Sequence, residues 1–187
     1  MLTQVVAGRV FDISHEVWGD NWGTRPPVAI TVGEGDAVYV ANRGLNYSPN
    51  VPCNRTIRGN GFSKLSVGEN LDEDELFGEF GKDGDAPREL IWLAGLALNN
   101  DENVYVTDKW LNRISIFDKK GIFLRAWGSA WDSKGKVKGP SGIAVDQQDD
   151  LCTVDSRNHR IQKFTKDGQF LGTWVSFGKA EGELDSL

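Results

Sequence analysis

The chain is short of the residues that reactive sites and spanning segments need. Of its 187 residues, two are cysteine, two are histidine and one is methionine. Cys53 and Cys152 make no disulfide framework, which favours a reducing compartment. The N-terminal residues 1–9 lack a basic region followed by a long apolar run, so no signal peptide is read there. No apolar stretch is long enough to cross a membrane as a helix. A cytoplasmic protein without a membrane partner is the resulting expectation. An excess of positive charge is also lacking: 21 Lys and Arg face 27 Asp and Glu, a net charge of -6. That disfavours a nucleic-acid footprint, which needs clustered cations, although a local basic patch remains open.

Glycine and tryptophan are plentiful. Twenty-two glycines imply many tight turns, and seven tryptophans imply rigid aromatics at fixed places in a core. The length suffices for one domain with a sizeable core.

The organising feature is a repeat. Gly95 maps to Gly142, Asp108 to Asp155, Arg113 to Arg160, Phe117 to Phe164, Gly121 to Gly168 and Trp127 to Trp174, all at an offset of 47 without a gap. Within each copy, short runs rich in β-branched and aromatic residues alternate with turn residues, which predicts four strands. An earlier copy fits when an insertion is allowed. Val38-Tyr39-Val40 matches Val104-Tyr105-Val106 at an offset of 66, and Phe80-Gly81 matches Trp127-Gly128 at 47. The extra residues fall between Asn42 and Leu76, a stretch with two prolines and six asparagines that reads mostly as loop. Within it, Asn54-Arg55-Thr56-Ile57 resembles a degenerate copy of the later Asn-Arg-Ile.

Four short strands in each 40–50-residue repeat is the pattern of a β-propeller blade, a twisted sheet that must stack on its neighbours. The predicted fold is all-β, with about three blades. An N-terminal strand of a partial blade lies in 1–25, centred on Val10, Phe11 and Ile13. Blades follow at 26–81, 93–128 and 140–174, with a tail at 175–187. The pairs Tyr39/Tyr105, Phe117/Phe164 and Trp127/Trp174 are expected to fill the spaces between blades. The recurring Asp108/Arg113 and Asp155/Arg160 read as structural ion pairs or turn anchors, because an active site rarely needs the same pair in successive blades.

Pro140 to Asp146, then Asp155 to Phe164, then Asp167 to Leu171 resemble an NHL repeat. Asn158-His159-Arg160 and Leu111-Asn112-Arg113 stand in the places of the Asn-His-Leu signature. The opening Gly8 to Asp12 is similar to the N-termini of bacterial six-bladed members. The resemblance covers 26–174, with the first unit degenerate. Six blades at this repeat length need about 280 residues, so three make half a ring with two uncovered end faces. A homodimer closing the ring, or a longer protein, resolves that.

The resemblance implies that partners bind the face bearing the loops between second and third strands, or the central channel. Candidate binding residues on that face are Arg43, Tyr47, Trp110, Arg157 and His159. Trp110 is singled out because its counterpart at position 157 is Arg. Enzymatic relatives of this family suggest two other readings. Zinc-dependent peptidyl-hydroxyglycine lyases use three histidines, which His15 and His159 cannot supply from one chain. Calcium-dependent lactonases use channel oxygens, for which Asn99 and Asp146 are the candidates. No cofactor is therefore predicted, with calcium or zinc left open. The acidic run Glu69 to Glu75 lacks the glycine and spacing of a calcium loop. Lys134, Lys136 and Lys138 form the one basic cluster, which is little support for RNA binding on an acidic protein. The favoured function is a binding or assembly module for a protein or small-molecule ligand; the alternative is a metal-assisted lyase or lactonase-type hydrolase.

Overall fold

The structure is a computed structural model of the chain, and it describes residues 3–6, 9–12, 27–35, 37–42, 61–66, 75–174 and 178. Fourteen strands are present among these residues. A hairpin of β1 (Thr3–Val6) and β2 (Arg9–Asp12) stands as its own two-stranded sheet. Two strands thus occupy the segment where one was expected, since the β-branched Thr3, Val5 and Val6 also suit a strand.

Three four-stranded antiparallel sheets follow. The first holds β3 (Pro27–Val32), β4 (Ala37–Asn42), β5 (Gly61–Ser66) and β6 (Glu75–Phe80). The second holds β7 (Leu93–Leu98), β8 (Val104–Asp108), β9 (Arg113–Phe117) and β10 (Phe123–Trp127). The third holds β11 (Pro140–Val145), β12 (Leu151–Asp155), β13 (Arg160–Phe164) and β14 (Phe170–Trp174). In each, the strands lie in chain order. The fold is all-β, with three packed sheets that correspond to three propeller blades.

The first strands of the sheets lie beside one another, β3 against β7 and β7 against β11. This places the sheets face to face in series. The second sheet is covered on both sides, so all five residues of β8 are buried rather than every second one. One core fills the space between first and second sheets, with Tyr39, Phe62, Leu93, Val104, Val106 and Phe117. The Phe62 ring lies 5.2 Å from those of Phe80 and Phe117. A second core, with Tyr105, Ile114, Ile116, Leu151 and Phe164, fills the space between second and third sheets. There the Trp127 and Phe164 rings are 4.7 Å apart.

The first sheet corrects one expectation. β5 lies inside the stretch read mostly as loop. Its own pattern is weak, with Phe62 and Leu65 its two large apolar residues among serines and near Gly59, Gly61 and Gly68. Pairing and the burial of Phe62 specify the strand instead. Asn42 pairs with Gly61 where Asp108 pairs with Arg113 and Asp155 with Arg160. Gly61 therefore holds the arginine position, and Asn54 to Ile57 lie outside the described residues. A second correction concerns Trp174, which was expected between blades. It is 49% exposed, because among the described residues no fourth sheet covers its face.

Candidate binding face at the loop edge

Antiparallel order puts the β8–β9 and β12–β13 turns, and the connections 81–92 and 128–139 between sheets, along one edge. We call this the loop edge. The turns joining first and second strands lie on the opposite edge.

Buried aspartates build the loop edge. Asp108 is fully buried, and its carboxylate accepts from the backbone N–H of Ile91 (2.7 Å), Trp92, Trp110 (3.0 Å) and Leu111 (2.9 Å). One side chain thus ties a sheet connection to a turn. Asp155 does the same work with different partners. It accepts from Lys138 N at 2.5 Å, Arg160 Nε at 2.7 Å, and Asn158 Nδ2 and Gln162 Nε2 at 2.9 Å each.

The arginines clamp the connections. Arg160 donates to the carbonyls of Asp132, Ser133 and Lys136. Arg113 donates to the carbonyls of Asp85, Ala86 and Glu89, and burial pulls the pKa of its guanidinium down. Each arginine thus satisfies three carbonyls of an irregular segment that sheet pairing cannot reach. Asn112 and His159, at equivalent places, both take left-handed backbone, with φ of 54° and 50°. The asparagine adds a bond of its own, accepting from Gly139 N at 2.8 Å.

On this scaffold stand the candidate residues. Trp110 is 61% exposed, yet its N–H is held by Asp108 and its carbonyl by Asn112 Nδ2 at 2.9 Å. Arg157 is exposed, with its stem over Gly139, where a Cβ would meet Arg157 Cγ at 2.9 Å. His159 is half-buried and closes the short 3-10 turn Ser156–Asn158. Arg43 and Tyr47 lie outside the described residues. Sequence reasoning missed Trp131, which is 67% exposed and whose carbonyl accepts from Asn158 Nδ2 at 3.1 Å. The repeat contained the signal: at the offset of 47 the counterpart of Trp131 is Gly84. Exposed Lys134, Lys136 and Lys138 share its connection.

Asn99 and Asp146 stand at equivalent places on the opposite edge. Asn99 Oδ1 accepts from the N–H groups of Asp101 and Asn103, and Asp146 Oδ1 from those of Gln148 and Asp150. Both therefore fasten their own turns. Asp146 Oδ2 also meets Lys163 Nζ at 2.5 Å, and Asp150 meets it at 3.0 Å. These bonds lower the pKa of Asp146 and raise that of Lys163. Among the described residues, no group of three or more His, Cys, Asp or Glu is placed to hold a metal ion.

Residues 138–164 match the family model described as NHL repeat. The match covers the first three of the four strands of the third sheet. It begins in the connection at Lys138 and ends with β13 at Phe164. Asp155, Asn158, Arg160 and Gln162 therefore all lie within the matched NHL segment. No curated protein matches the sequence. Among solved structures, the chain is similar to hydrazine synthase of Kuenenia stuttgartiensis, with 14% identity, a TM-score of 0.55, and coverage of 89% of this chain and 39% of that one. It is also similar to U3-55K, with 12% identity, a TM-score of 0.57, and coverage of 80% and 39%. A gluconolactonase from Xanthomonas campestris gives 21% identity, a TM-score of 0.57, and coverage of 91% and 53%. The chain thus spans between 39% and 53% of the length of these structures. At such identities the likeness establishes the shared propeller fold.

Proposed function

We propose that this NHL-repeat chain is a binding or assembly module whose loop edge receives a protein or small-molecule partner, and whose propeller arc is completed by a second copy of the chain. The observation that carries the first part is the presentation of Trp110 and Trp131. Both are mostly exposed on backbone that side-chain hydrogen bonds hold in place. Exposed indoles on a rigid support suit an interface centre, since little ordering entropy is lost when they are covered. Arg157 and the three lysines give the same edge a positive rim. Asn99 and Asp146 favour this reading over the metal-assisted one, because their oxygens are engaged in turns and an ion pair.

Comparative capture tests the loop edge. Immobilised wild type and the Trp110→Ser/Trp131→Ser double variant are exposed to one cell extract, and the retained material is analysed by mass spectrometry. Ligands kept by wild type and lost by the variant are the expected result. Equal retention by both sinks the reading. Light scattering tests the second part, with a mass of two chains expected.

A further inference from the structure

The two junctions within the chain share one latch, and the rear face of the third sheet repeats its donor half together with the glycine of the second junction. We propose that this face is the joint for a second copy, seated through the front face of that copy's first sheet. The proposal deepens the two-chain reading above and rests on it.

One detail recurs at both existing junctions, and a second marks the junction of the second and third sheets. The first is a latch at the edge opposite the loops. Glu102 Oε1 accepts from Glu34 N at 2.9 Å, and Asp149 Oδ1 accepts from Asn100 N at 3.0 Å. Glu102 and Asp149 occupy the same left-handed turn position, with φ of 59° and 63°. Glu34 and Asn100 are likewise equivalent by the offset of 66. Each sheet thus offers an N–H that a carboxylate of the following sheet accepts. The next donor in the series is the N–H of Gln147, an exposed residue.

The second detail belongs to the junction of the second and third sheets alone, a close approach of first strands; at the first junction Ala29 holds the place. A Cβ on Gly95 would lie 2.4 Å from the Ser141 carbonyl oxygen, so β7 and β11 fit because that residue is glycine. Its counterpart, Gly142, is exposed, and a Cβ there would meet only Val154 Cγ2 at 3.4 Å. Among the described residues, nothing needs glycine at 142. An incoming strand that approached as closely as β11 approaches β7 would need it.

The surrounding face fits the same use. Ala97, Ile114 and Trp127 of the second sheet are covered by the third. Their counterparts Ala144, Ile161 and Trp174 carry the pattern forward, and Trp174 is 49% exposed. A face that continues an existing junction takes a sheet of the same repeat. Within one chain, the front of the first sheet is the one such face that no described junction uses. A joint between unlike faces made twice by two-fold symmetry closes into a ring.

Gly142→Leu tests the joint, since the position is exposed and locally roomy. The measurements are solution mass by light scattering, far-UV circular dichroism, and the rate of Cys152 modification by a thiol reagent in a Cys53→Ser background. Cys152 lies on the face in question, at the counterpart of buried Tyr105. Wild type at two chains with slow Cys152 modification is expected, with Gly142→Leu folded, at one chain, and modified at least tenfold faster. Ala144→Glu, opposite in role to buried Ala97, repeats the test with a different side chain. Wild type at one chain overturns both the joint and the two-chain reading. Two chains in wild type and in both variants overturn the joint alone.

Discussion

Arg160 donates through Nε to Asp155 Oδ2 at 2.7 Å, while at the equivalent place Asp108 turns its carboxylate to four backbone N–H groups, none of them of Arg113. The two repeats thus reach one result by different routes. In both, a buried carboxylate and an arginine fix a sheet connection against a turn. In the third sheet the two are bonded directly, with Gln162 beside them. In the second, Ser115 stands at the glutamine position and its hydroxyl has no partner among the described residues.

This difference predicts unequal coupling in double-mutant cycles. Asp155→Ala should destabilise by about 3–5 kcal/mol, because Arg160 is left without its buried counter-charge. The Asp155→Ala/Arg160→Ala cycle should return a coupling of about 1–3 kcal/mol. The Asp108→Ala/Arg113→Ala cycle should return clearly less, as no direct bond joins that pair. Urea unfolding of the single and double variants gives both values, and equal couplings would contradict the geometry.

His159 is a backbone position before it is a functional one. Its φ of 50° and ψ of 47° are left-handed, a region that β-branched residues avoid and asparagine tolerates. His159→Asn should leave the thermal midpoint unchanged or raise it, matching Asn112 in the second sheet. His159→Val should cost about 1–3 kcal/mol through backbone strain. A histidine retained for its imidazole would instead show capture of loop-edge ligands lost in His159→Asn while stability holds.

Much of this architecture was legible in the sequence, and the reasons are physical. Gly95 to Trp127 and Gly142 to Trp174 align without a gap because each copy packs its strands against the preceding sheet and fastens its loop edge with an equivalent Asp and Arg. The Asp and Arg of each repeat were readable as structural because a recurring pair points to scaffold. β5 was not legible, since Phe62 and Leu65 alone give too little pattern against neighbouring glycines. The Glu102 and Asp149 latches were also hidden, because their partners are backbone N–H groups, which any residue carries. Trp131 was visible in principle, as an indole opposite a glycine in the preceding connection.

The Lys163 cluster predicts a defined pH response. Asp146 has its pKa lowered, first by its hydrogen bond to Lys163, so its contribution is present above the ordinary carboxylate pKa of about 3.9. That contribution is lost as pH falls through the lower folded-state value. Lys163 has its pKa raised, first by Asp146 and then by Asp150, so its contribution is full below about 10.4 and is lost as pH rises through the folded-state value. Between about pH 5 and pH 9, the stability difference between wild type and Lys163→Met should therefore be flat. Below about pH 4 it should shrink. Thermal unfolding across this range checks it, and a difference that grows in acid would count against the pair.

The close approach at Gly95 gives the sharpest contrast. Gly95 lies in a strand, and a Cβ there would strike the Ser141 carbonyl at 2.4 Å and approach Thr107 Oγ1 at 3.0 Å. The first obstacle is backbone of the neighbouring sheet and cannot swing aside as a side-chain end can. Thr107 Oγ1 also donates to that carbonyl at 2.6 Å, so separating the strands breaks a partly buried bond as well. Gly95→Ala should therefore cost about 1–3 kcal/mol by overpacking, although alanine suits a strand better than glycine does. At Gly142 the same substitution meets Val154 Cγ2 at ordinary contact distance. In isolated chains, Gly142→Ala should be neutral or slightly stabilising by lowering the entropy of the unfolded state. Urea titrations of the two variants, at concentrations dilute enough to keep chains apart, measure both. A small cost at Gly95 would mean that β7 and β11 stand farther apart than described.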